Sequence, residues 1–163
     1  MPRLATILLA GLLGTALLAG CGEGGAAEGA RVTVYVSAPL RGAEAAEGKR
    51  LCEEAQGEAE RSAGEAGGLE IEVACLDATG ATGRWTLAQV GANARRATED
   101  STAVAYVGEP DPRARKQSRP IVDAAGIAEL GGLSGRAAVT RVVAAIREGD
   151  ASDPRQAVFS AEG

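Results

Sequence analysis

Five residues of this chain stand where a run of strand-forming residues gives way to a loop: Ser37, Asp77, Gly108, Glu109 and Asp111. In an open parallel sheet, ligands sit beyond the carboxyl ends of the strands. The chemistry offered there is reversible, non-covalent binding. Glu109 or Asp111 can pair with an ammonium group, and amides near the start of a helix over residues 111–125 can receive a carboxylate. The plainer alternative is that both acids only cap and flank that helix. The sequence contains no histidine, which removes the commonest general base and the commonest zinc ligand. No nucleophile–base pair and no metal-ligand cluster is read among the remaining residues, so neither an enzyme nor a cofactor nor a bound metal is expected.

Other patterns carry less. Asp77, Thr79 and Thr82 are spaced like part of a cation loop but lack the carboxylates calcium needs, so a surface turn is expected there. Trp85 stands at the start of a predicted helix. Filling space at the edge of an alanine-rich core suits it better than stacking on a ligand. Gly64, Gly67 and Gly68 end a helix and do not open one, which excludes a phosphate loop. Cys52 and Cys75 form an even pair that an oxidising compartment would join; the alternative is two buried thiols behaving as small hydrophobes.

These residues depend on regular elements for their positions. Val32, Val34 and Val36 alternate with Thr33 and Tyr35, which predicts a strand over 31–36. Leu51, Ala55, Ala59 and Ala63 recur every fourth residue, which predicts a helix over 43–63 with Cys52 on the same side. A second strand follows over 69–76, with Cys75 on its inner face beside Leu69, Ile71 and Val73. Thr82 is the expected cap of a helix from Arg84 to about Thr98. A third strand is expected over 101–108. Asp111 and Pro112 open the next helix in favourable cap and first-turn positions, Gly126 closes it, and a short strand covers 127–130. Strand and helix alternate at crossover lengths that suit a parallel sheet. The expected fold class is therefore α/β: a three-layer parallel sheet of about four strands, a Rossmann-like single lobe over residues 31–130. Residues 131–163 supply a linker and two additional C-terminal helices, the second opened by Asp153 and Pro154.

The first twenty residues are a different kind of segment. Arg3 precedes an apolar run from Leu4 to Leu18, which ends in Leu18-Ala19-Gly20-Cys21. This resembles a bacterial lipoprotein signal. The resemblance implies cleavage before Cys21, a diacylglycerol on its thiol, and a protein anchored by lipid at the extracytoplasmic face of the cell membrane. The apolar run is short and interrupted by glycine, which argues against a stable spanning helix. Residues 21–30, rich in Gly, Ala and Glu, read as a flexible tether. A net charge of −5 with no basic run makes nucleic acid a poor partner.

From Val32 to about Leu130 the chain resembles the N-terminal lobe of type I periplasmic binding proteins of the leucine/isoleucine/valine-binding kind, the receptors of branched-chain amino-acid ABC importers. The residues carrying the resemblance are Val32 to Gly42, Leu76 to Thr79, Gly83 to Trp85, Asn93 to Ala97, Ala103 to Glu109 and Arg119 to Ile127. The resemblance implies capture of a small solute, an amino acid or similar, and delivery to an ABC permease. Family members have two lobes that close on the ligand, and here the second lobe is missing. Residues 136–159 are similar to the family's C-terminal region, so the chain looks like a receptor with its middle removed. The turns after the third and fourth strands also depart from the family. Gly108-Glu109-Pro110-Asp111-Pro112 and Gly131-Gly132-Leu133 replace its hydroxyl-bearing turns. Two functional readings stay open: a solute-binding lipoprotein of an importer, or an interaction lipoprotein that binds another protein or forms a homodimer.

Overall fold

The computed structural model describes residues 30–63 and 65–162. The signal expected over residues 1–20, the lipidation of Cys21 and nearly all of the tether lie outside the described residues, as does Gly64. The valine alternation forms β1 (Arg31–Ala38). Val32, Val34, Val36 and Ala38 face one half of the core and Tyr35 the other. Strand periodicity puts Thr33 and Ser37 on the side of Tyr35. The chain continues through α1 (Ala45–Arg61), β2 (Glu70–Asp77), α2 (Leu87–Thr98), β3 (Ala103–Val107), α3 (Pro112–Asp123), β4 (Ala128–Glu129), α4 (Gly135–Glu148) and α5 (Pro154–Ser160). The four strands form one parallel sheet in the order β2-β1-β3-β4. This is the α/β fold class and strand number that the sequence predicts.

Burial follows position in the sheet. Central β3 is buried throughout, whereas edge strand β2 is only half-buried. On one face, Ala55 and Ala59 of α1 pack with Val139, Val142, Val143 and Ile146 of α4. The two helices meet at backbone distance: a Cβ on Gly135 would overlap the carbonyl oxygen of Leu51, so glycine is required for that approach. On the other face, Ala94 and Ala97 of α2 and Val122 of α3 close over Tyr35 and Tyr106. Cys52 of α1 and Cys75 of β2 are joined as a disulfide, with Cα atoms 6.1 Å apart.

Several boundaries differ from the sequence prediction. β1 runs on through Ser37 and Ala38 and stops at Pro39. Ala63 lies beyond the end of α1 and is exposed, so the buried stripe ends at Ala59. α2 begins at Leu87, and its cap is Thr86, which accepts from the Gln89 amide at 3.3 Å, not Thr82. The reason is a small fold-back of residues 78–86. Thr79 bridges Trp85 in antiparallel fashion, and the Gly80 and Thr86 amides donate to the Arg84 and Ala78 carbonyls. Those bonds hold residues 84–86 out of the helix. Asp111 and Asp153 cap α3 and α5 ahead of a first-turn proline.

A candidate ligand cleft at the carboxyl edge of the sheet

Beyond the carboxyl ends of β1 and β3 lies a cleft of about 360 Å³. Its walls come from the β1–α1 connection, the first half of α1, and the turns that follow β3 and β4. Pro39, Glu47, Trp85, Glu109, Asp111 and Ser134 are among its lining residues. The fold brings them together because parallel strands deliver every βα turn to the same edge.

Asp77 fixes one wall. Its Oδ1 accepts from the Leu40 amide at 3.0 Å and the Thr79 amide at 2.8 Å, and its other oxygen pairs with the Arg41 guanidinium. Burial works against the charge of Asp77, but hydrogen bonds from Thr79, Leu40 and Arg41 outweigh it and hold the carboxyl well below the usual carboxylate range. Asp77 therefore ties the end of β2 to the turn after β1.

Ser37 and Glu109 meet beneath the cleft. The Asn93 amide of α2 donates to Ser37 Oγ at 2.9 Å, and that hydroxyl donates to Glu109 Oε1 at 3.0 Å. Glu109 is 1% exposed, and its Oε2 is buried without a hydrogen-bond partner. Burial pushes its pKa up to about 7, against hydrogen bonds from its own backbone and from Ser37. A second buried acid lies nearby. Glu129 of β4 accepts from Ser118 Oγ at 3.0 Å through Oε2 and leaves Oε1 unpartnered. Burial raises its pKa to about 7, with further contributions from Glu162, Glu109 and Asp123. Gly108 gives it room: a Cβ there would stand 3.0 Å from Glu129 Oε1.

Asp111 has a different task. Its Oδ1 accepts from the Arg113 amide at 2.8 Å, and its Oδ2 pairs with the Arg113 guanidinium at 2.8 Å. That guanidinium also lies over the Trp85 ring, 5.4 Å from the centroid. The Ala114 and Arg115 amides both donate to the Asp111 carbonyl, so the first-turn amides of α3 already have partners. The other rim acids are likewise paired with exposed arginines, Glu44 with Arg84 at 3.5 Å and Glu54 with Arg50 at 3.6 Å. Glu47 has no ion-pair partner among the described residues.

Of the five sequence candidates, Ser37 and Glu109 thus meet in one buried polar group, Gly108 stands against the neighbouring Glu129, Asp77 braces a wall, and Asp111 caps α3 at the cleft. Sequence reading missed Asn93, Ser118, Glu129 and the α1 acid Glu47. Asn93 left a signal, since it follows buried Val90 by three positions on a helix whose Ala94 and Ala97 are also buried. Glu129 left one too: a lone acid between Ile127 and Leu130 in a short strand.

No protein-family model matches the sequence, and no curated protein matches it. Solved structures do. A protein from Rhodospirillum rubrum assigned as a branched-chain amino acid ABC transporter is similar over 62% of this chain and 28% of its own, with 24% identity and a TM-score of 0.53. The leucine-binding protein LivK of Thermotoga maritima is similar over 61% of this chain and 27% of its own, with 23% identity and a TM-score of 0.52. The chain thus corresponds to little more than a quarter of each of these proteins, and the fold it shares with them is that of a single α/β lobe.

Proposed function

We propose that this chain is a solute-binding lipoprotein of the extracytoplasmic membrane face, serving an amino-acid-type ABC importer. A small solute, an amino acid or similar, is captured non-covalently in the cleft and passed to the permease. The observation that carries this reading is an open cleft at the carboxyl edge of a sheet whose fold is similar to that of solute-binding proteins. The lipoprotein-like sequence ahead of the lobe supports the location. Among the described residues Leu87 is the large hydrophobic side chain left exposed, which gives a protein partner little apolar surface to bury. That favours solute binding over a purely protein-binding role.

The cleft stays open to one side, so affinity is weak unless a second chain, such as another copy, completes the site. Thermal unfolding of the purified chain against a panel of amino acids, amides and amines tests the reading. A bound solute must raise the melting temperature in a concentration-dependent way. No shift with any solute at millimolar concentration refutes it.

A further inference from the structure

The lining of the cleft has a strong sign. Among the described residues that line it, Glu44, Glu47, Glu54, Glu109 and Asp111 are set against the single cation Arg50. Partners are already in place for Glu44, Glu54 and Asp111, which leaves two acids. Glu47, in the exposed first turn of α1, has no ion-pair partner among the described residues. Glu109 has one hydroxyl donor on Oε1 and none on Oε2, at 1% exposure. A buried carboxylate oxygen without a donor costs free energy that a cationic or N–H-bearing ligand would recover.

An anion would meet acids at the uncapped helix start that lines the cleft: α1 starts after Glu44 with no side-chain cap and has Glu47 in its first turn. The start of α3 has its amides bonded to Asp111. At α4 the Ala137 amide is bonded to Ser134 Oγ at 3.2 Å. Beside the cleft, the Arg113 guanidinium lies over the lining residue Trp85 and pairs with the lining residue Asp111. An aromatic face beside a carboxylate is an arrangement that holds cations.

We propose that the cleft selects a small cationic solute, an amine or guanidino compound without an obligatory carboxylate, with Glu109 and Glu47 as its acidic contacts. This rests on the solute-binding reading above and names the chemical class of the solute.

Agmatine and cadaverine are the probes, with L-leucine and L-glutamate as comparisons, each titrated into the full chain by calorimetry and thermal shift. Agmatine or cadaverine should bind, more weakly as salt is raised; L-leucine and L-glutamate should bind at least tenfold more weakly. Glu47→Gln, on an exposed helix surface that does not threaten folding, should weaken cation binding by up to about fivefold. Glu109→Gln, with its fold checked by circular dichroism, should weaken it by about tenfold or more. L-leucine binding as tightly as the diamines overturns the cationic assignment and leaves solute binding standing. Cation binding unchanged in both variants overturns it as well. Failure of every solute removes the solute-binding reading and this inference together.

Discussion

Replacing Glu129 with glutamine should stabilise this protein above neutral pH and leave it unchanged near pH 4.5. The acid is buried against α3, and its ordinary value of 4.5 rises to about 7 in the fold. The folded state therefore keeps a proton that the unfolded chain releases between those values. Unfolding releases that proton throughout the window, so stability is complete below about pH 4.5, falls as pH rises, and reaches its floor above about pH 7. At about 1.36 kcal/mol per pH unit the full displacement corresponds to about 3 kcal/mol, an upper bound because hydration and relaxation around the charge reduce it. Glutamine resembles the protonated acid in shape, keeps an acceptor for the Ser118 hydroxyl, and carries no charge to bury. The sequence has no histidine, and among the described residues Glu109 and Glu129 are the acids raised into this pH window, Glu109 by its own burial.

The assay is urea unfolding followed by far-ultraviolet circular dichroism at intervals from pH 4.5 to 8.5. Wild type should lose stability steadily through the window, and Glu129→Gln should lose less, ending up to about 3 kcal/mol more stable at pH 8. The Glu109/Glu129 double variant should be nearly flat, with a gain different from the sum of the single gains because the two carboxyls act on each other. A wild-type curve that is level or rising from pH 5 to 8 refutes the reasoning. So does a Glu129→Gln curve that falls in parallel with wild type, since the penalty would then lie elsewhere.

Two other outcomes are expected. Replacing Cys52 and Cys75 with serine frees α1 from β2 across a 23-residue separation; chain-entropy reasoning puts the loss at about 3 kcal/mol, read as a lower urea midpoint, and an unchanged midpoint would show that the bridge adds nothing to this fold. For the proposed lipid anchor, expression with an alkyne-tagged fatty acid in a lipoprotein-processing bacterium should label the chain at Cys21, and Cys21→Ala should abolish label and membrane retention together; equal labelling of the variant would rule out that anchor.

Local rules and the sheet were legible in the sequence for a shared reason. Alternating Val32, Val34 and Val36, the Asp-Pro starts at 111 and 153, and regular strand–helix alternation are signals carried by neighbouring residues. Thr86 as the true cap of α2 was not legible, because the choice between it and Thr82 is made by the Thr79–Trp85 bridge. The buried polar group was half legible. Ser37 and Glu109 stand at strand ends, where a ligand edge is expected, but their pairing joins residues 72 apart and is completed by Asn93 from a third element. Side-chain pairing across elements depends on register and helix placement, which no local pattern reports.

That division explains why the site's character changed between sequence and structure. At the level of the chain, Glu109 and Asp111 are equivalent acids two residues apart. Folding separates them by environment. The Arg113 guanidinium and the Arg113 amide both bond the Asp111 carboxylate, stabilise its charge and hold it low. Glu109 turns under the sheet edge to Ser37, where burial opposes its charge. One acid therefore has its needs met within the protein, and the other carries an unmet requirement for a donor at a cleft. A lobe whose stability depended on every polar group being satisfied internally would favour glutamine or an apolar residue at 109. Retaining a carboxyl there costs stability as the pH rises, and the cost is recovered when a cation arrives. Stability and binding should therefore move in opposite directions when Glu109 is changed to glutamine, a pattern that a purely structural role for the residue would not produce.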